Sequence, residues 1–226
     1  MTAPEHSALP SSPSWLLLQL TDGAFPSGGF AHSAGLEASL HLRGIGDLEP
    51  FVDELLWQAG RGALPFVRRA AIAPGELAAL DERYDATVTS HVANRASRAQ
   101  GRALAAAASR VFEREEVRQI GDYARSEIAH HPPIFGALFG SLGVPAADAA
   151  VAYLHGVMRS GLSAAVRLGI VGPLEAQQIQ ASRARVLDAI LATCSALDVD
   201  DAAQTSPLLE IFGALHDRLD GRLFQS

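Results

Sequence analysis

A chain of 226 residues with 48% hydrophobic and 19% charged side chains can bury a sizeable core and is too apolar for a disordered tail. Its formal net charge of −7 argues against binding a phosphate backbone, which needs a basic stripe, so no nucleic-acid partner is expected. The apolar stretch at 15–20 is short, contains Gln19 and follows no cationic segment, and no run reaches the length of a membrane span; neither a signal peptide nor a membrane partner is expected.

Residues 1–13 are expected to form a flexible tail. After them helical signals dominate: alanine is abundant, β-branched runs are short, and no alternating strand pattern of useful length occurs. Asp47 reads as a capping residue ahead of Pro50 and the helically spaced Phe51, Leu55 and Leu56, and Pro65 is expected to break or kink that stretch. Residues 76–114 predict two helices, the second from about Asn94. Another covers 115–129 and stops at Pro132-Pro133, and a short apolar one over 134–142 ends at Gly143. The best-defined helices cover 147–168, with Val151, Leu154, Met158, Leu162 and Ala165 on one face, and 174–197, with Leu187, Ile190, Leu191, Cys194 and Leu197. An acidic loop spans 197–204. Ser206-Pro207 then opens a last helix whose expected inward stripe is Leu208, Ile211, Phe212, Leu215 and Leu219, with Gly221 as its left-handed close. No linker and no fixed-period repeat divides the chain. The expected fold class is all-α: one multi-helix bundle over 14–221, followed by a short tail at 222–226.

Recognisable catalytic constellations are missing. No lysine exists to complete a phosphate loop, since all 18 cationic side chains are arginines; that composition reads more simply as a GC-rich genome than as a function. The segment from Asp198 starts like a calcium loop but lacks the turn glycine and ends on Leu209 where a carboxylate belongs. His130 and His131 are adjacent, so on a helix they diverge, and they are expected to complement the dipole at a helix end. Cys194 has no disulfide partner, which suits a reducing, cytoplasmic setting, and it reads as a core residue more readily than as a soft metal ligand.

Two features are not absorbed by a core. Residues 25–37 place Phe25, Pro26, Gly28, Gly29 and Phe30 ahead of Gly35 and Glu37. They form either a tight turn feeding a helix, with Ser33 as its cap, or a rigid surface loop that a partner approaches closely. At the other end, Arg222, Leu223 and Phe224 lie beyond the capping glycine. They either fold back on their own helix or anchor a partner.

These stretches and a third resemble the UreF family of urease accessory proteins. Leu16-Leu17-Leu18-Gln19-Leu20, then Phe25-Pro26-Ser27-Gly28-Gly29-Phe30 and Gly35-Leu36-Glu37, are similar to the family's opening. Ser163-Ala164-Ala165-Val166-Arg167-Leu168, with Gly172 and Gln177-Gln178, resembles its middle. Pro207-Leu208-Leu209 to His216, with Arg222-Leu223-Phe224-Gln225-Ser226, resembles its end. Order and spacing agree from about residue 15 to 226. The chain departs from the pattern at His32 and Ala34, and at Asp220-Gly221 where the family usually has Tyr-Ser.

The resemblance implies a helical scaffold that dimerises and performs no catalysis of its own. It implies docking to the UreD/UreH accessory protein and to the GTPase UreG, with nickel as cargo bound for apo-urease and no tightly bound cofactor. The matching positions expected to meet partners are Phe25, Pro26, Gly28, Gly29, Phe30, Gly35, Glu37, Arg167, Gln177, His216, Arg222, Leu223 and Phe224. An effect on GTP hydrolysis would make Arg167 a candidate arginine finger; closing an apolar helix, it pairs more simply with a nearby carboxylate or carbonyl. Removing 222–226 is expected to spare folding and abolish partner binding. Two other readings stay open: a metallochaperone that binds nickel at a dimer seam through His216 or another histidine, and a helical enzyme whose pocket gathers carboxylates.

Overall fold

A helix that is apolar on every side must be covered on every side, and the uncharged stretch from Pro132 to Phe139 has that character. The computed structural model describes residues 13–43 and 47–225, and it places this stretch at the centre of the bundle. The helices, in order, are α1 (Pro13–Thr21), α2 (Leu36–Arg43), α3 (Leu48–Gly62), α4 (Leu64–Ile72), α5 (Leu77–Thr87), α6 (His91–Val111), α7 (Glu115–Ser126), α8 (His131–Ser141), α9 (Ala146–Arg167), α10 (Pro173–Ser182), α11 (Ala184–Cys194) and α12 (Pro207–Leu215). No strand occurs among the described residues, and the fold is all-α as expected. The N-terminal tail expected at 1–13 lies, except for Pro13, outside the described residues.

The buried helix α8 packs on α4, α5, α6, α7 and α9, while α9 forms a second spine against α3, α4 and α10. α8 approaches α4 so closely that a β-carbon at Gly136 or Gly140 would overlap the backbone of Val67 or Ala71. Pro65 does break the chain, as expected: α3 gives way to α4 at Ala63, and the proline occupies the first turn of α4, where its missing N–H costs nothing.

Local detail departs from the sequence reading where tertiary partners intervene. The helix expected over 174–197 is two, broken at Arg183 (φ −87°, ψ 1°). That residue's guanidinium reaches back to α3, bonding Glu49 and meeting Asp53 at 2.8 Å. α6 starts at His91 rather than near Asn94, because the Ser90 hydroxyl accepts the Ala93 N–H (3.4 Å) as a side-chain cap.

His130 and His131 do not end a helix; they open α8. The chain turns through a left-handed Ala129 (φ 64°), and the Asp81 carboxylate accepts the N–H groups of Ala129 (2.5 Å) and His130 (2.7 Å). A carboxylate from α5 therefore caps α8. Protonated imidazoles would be repelled at this positive helix end, and burial lowers the pKa of both, that of His131 to about 4.

α12 is also turned away from its expected stripe. Leu209 is buried, while Leu208 and Ile211 are exposed. α12 passes so near Gly35 that a β-carbon there would sit 3.2 Å from the Gly213 nitrogen and 3.4 Å from the Leu209 carbonyl oxygen. That close approach fixes which face of α12 looks inward. The helix stops at Leu215 and passes into a 3₁₀ turn over His216–Arg218, so left-handed Gly221 (φ 70°) lies beyond the helix it was expected to close.

Candidate functional site

The three separate sequence motifs meet in space around Glu37. This residue sits in the first turn of α2, which the chain enters through left-handed Ala34 (φ 53°) and Gly35 (φ 85°). The Ser33 hydroxyl lies 3.5 Å from the Glu37 N–H, a weak form of the expected cap. The Glu37 side chain is only 1% exposed, and every described partner comes from the C-terminal motif. Oε1 accepts the Leu223 N–H at 2.6 Å; Oε2 accepts the Phe224 N–H at 3.1 Å and meets His216 Nε2 at 3.0 Å. Burial alone would raise the Glu37 pKa, but the Leu223 N–H, His216 and the Phe224 N–H together leave it lowered.

The tail therefore folds back, and not onto its own helix as the first alternative supposed. Gln225 donates its N–H to the Ala31 carbonyl (2.9 Å), and the Phe224 ring is 5% exposed. The Arg167 guanidinium, at the end of α9, lies between two rings, 4.0 Å from the Phe30 centroid and 4.2 Å from that of Phe224. It also donates to the Phe30 carbonyl at 2.6 Å, the carbonyl pairing expected of it. On the surface, Asp217 accepts from Arg222 at 3.0 Å and from Arg95 of α6 at 2.8 Å, and these bonds hold its carboxyl below the usual range.

The result is an ordered platform. Phe30 (70% exposed) and Leu223 (52%) face outward over a frame made by Glu37, Arg167, His216 and Phe224. Other matched positions are less available. Phe25 is half-buried and stacks on Phe112 (6.4 Å), Gly35 is spent on α12, and Gln177 lies apart, exposed on α10. Pro26 and Gly28 are exposed beside the platform, with Gly28 in the left-handed region (φ 76°) and Gly29 half-buried next to it. Sequence reading missed Arg95 and Asp217, whose pairing spans 122 positions and leaves no local signal.

His216 is fully buried on Glu37, so it does not stand at a surface where two copies could share a metal. Among the described residues no three His, Cys, Asp or Glu side chains are grouped as metal ligands. A cavity of about 260 Å³ lies within the bundle, lined by His32, Tyr84, His131, Tyr153, Arg159 and Glu210 among others. Glu210 is the single carboxylate among those lining residues, and burial raises its pKa. The converging acids that would carry an enzyme reading are not assembled there. No helix among the described residues is long and apolar enough to cross a membrane.

A sequence model of the UreF family matches residues 42–184. Urease accessory protein F of Arabidopsis thaliana is 38% identical over 221 residues, covering 94% of this chain and 92% of its own length. The protein of the same name from Oryza sativa subsp. indica is 35% identical, covering 93% and 84%. Urease accessory protein UreF of Trichodesmium erythraeum is 29% identical, covering 92% and 94%. These matches cover more of the chain than the family model's 42–184, and the folded chain brings its N- and C-terminal motifs together on Glu37. The chain belongs to the UreF family of urease accessory proteins.

Proposed function

We propose that this protein is a non-catalytic, cytoplasmic scaffold for urease maturation. In this reading it pairs with itself, docks a UreD/UreH-type accessory protein and a UreG-type GTPase, and helps deliver nickel to apo-urease. The observation that carries the reading is the platform. An exposed Leu223 and Phe30 are held over a frame joined by hydrogen bonds and cation–ring contacts, which is how a protein presents anchors at low entropic cost. Exposed Leu208 and Ile211 on α12 add apolar surface suited to burial against protein. The arginine-finger reading of Arg167 is disfavoured, because its guanidinium is already engaged on both faces and at one N–H.

The test is a pull-down of full-length chain by a UreD/UreH-type partner, with Leu223→Asp beside it. Because Leu223 is half exposed, the substitution is expected to change stability by under about 1 kcal/mol. Capture is expected to fall at least about tenfold, as for loss of an interface anchor. Undiminished capture by Leu223→Asp would move the docking surface elsewhere. Truncation after Gly221 is a poorer probe, since it also removes buried Phe224 and strips Glu37 of two donors.

A further inference from the structure

Arg159, on α9 two turns before Arg167, has no hydrogen-bond or ion-pair partner among the described residues. Its Nε is buried and unbonded. The neighbouring arginines differ: Arg167 has a carbonyl and two rings, and Arg95 and Arg222 share a carboxylate. Arg159 is only partly buried, and a guanidinium keeps its charge in any setting, so solvent or a bound anion must balance it.

Arg159 stands where two spaces adjoin. It lines the 260 Å³ cavity and also a smaller one of about 140 Å³ beneath residues 23–30. Its Nη1 lies directly under Gly23, 2.6 Å from where a β-carbon there would be. The smaller space is also lined by Ser27, Ser160 and Ser163, whose hydroxyls make no side-chain hydrogen bond to another described residue. No carboxylate lines it. The wall therefore offers hydroxyl and guanidinium donors and no carboxylate to neutralise the cation.

We propose that the space beneath residues 23–30 binds a small carboxylate-type oxyanion, with the planar fork of Arg159 taking both oxygens and the hydroxyls of Ser27 and Ser160 completing the shell. Water would hydrate the guanidinium without neutralising it; a planar anion does both. The site adjoins the platform, since Phe30 and Phe224 also line it, but the argument for it does not depend on the scaffold reading.

The test uses full-length protein at fixed ionic strength, titrated with sodium acetate against sodium chloride. Melting temperature and the line width of ¹³C-labelled acetate are followed. Acetate is expected to raise the melting temperature saturably and to broaden the ¹³C signal, while chloride does neither. Arg159→Gln should abolish both effects with its helical circular dichroism unchanged. Arg159→Lys, which keeps the charge and loses the fork, should bind about tenfold more weakly, and it carries the test if Arg159→Gln does not fold. Equal responses to acetate and chloride, or saturable broadening that survives in Arg159→Gln or is undiminished in Arg159→Lys, would overturn the proposal.

Discussion

Replacing Glu37 with alanine is expected to lower the unfolding free energy by about 3–5 kcal/mol, from stranding three polar groups at about 1–3 kcal/mol each. The side chain is 1% exposed and is the acceptor for two backbone N–H groups and one imidazole nitrogen. Its removal leaves the buried Phe224 N–H and His216 Nε2 and the part-buried Leu223 N–H without that partner, and opens space beneath Phe224. Glu37→Gln keeps the shape but turns one acceptor into a donor facing an N–H, so its cost is expected at about 1–3 kcal/mol. Urea titration measures both. Amide exchange at Leu223 and Phe224 reports the tail directly, and both amides should lose protection in Glu37→Ala while α8 amides keep theirs. A Glu37→Ala protein within about 1 kcal/mol of wild type, its tail amides still protected, would show that the Arg167–Phe224 contact, the Gln225–Ala31 bond and the Arg222–Asp217 pair hold the tail without Glu37.

The same substitution bears on docking. A tail that samples many conformations must be ordered when a partner binds, at a cost of roughly 0.5–1.5 kcal/mol per immobilised side chain. Glu37→Ala should therefore weaken partner capture although Glu37 itself is shielded from any partner. Leu223→Asp should weaken capture with the tail still in place. Comparing the two separates holding the platform from touching the partner.

Much of the fold was legible because it rests on local rules. Alanine-rich periodicity gave the helices, and Pro65, Pro207 and the stretch around Gly143 marked their ends. The misreadings share one cause. Arg183, Ser206–Leu219 and His130-His131 look ordinary in a window of ten residues, and each is set by a partner far along the chain: Glu49 for Arg183, Gly35 for α12, Asp81 for the histidines. The site follows the same pattern. That residues 25–37 and 222–226 were unusual was visible, because apolar residues beyond a helix close and paired glycines need a reason. That Glu37 joins them was not visible, because a carboxylate in the first turn of a helix is a common and sufficient feature by itself. Arg159 gave no signal at all, since only the folded chain shows which arginine lacks an acceptor.

Acid is expected to destabilise the fold before the hydrogen-bonded carboxylates of Glu37, Asp85 and Asp217 protonate. His131 packs against Phe135 (ring centroids 5.7 Å) and Tyr153 (5.6 Å), and burial lowers its pKa from 6.5 to about 4. The unfolded chain takes up this proton near 6.5 and the folded chain only near 4, so between those values the unfolded state binds more protons and stability falls with pH. The depression of roughly 2.5 units corresponds to about 3 kcal/mol, complete only near the lower pKa. His32, His130 and His155 are shifted the same way, each first by burial, and steepen the loss. Glu37, Asp85 and Asp217 have lowered pKa values, so their stabilising contributions are in place above the ordinary carboxylate range and disappear only as pH falls through their depressed values. The two groups of residues therefore act in separate windows. Urea midpoints from pH 7.5 to 4.5 should decline continuously in the native chain, and His131→Gln should flatten that decline by about 2–3 kcal/mol over the range. A His131→Gln profile parallel to the native one would mean that the His131 ring accepts its proton inside the folded protein, and that the cavity it lines admits water to solvate the charge.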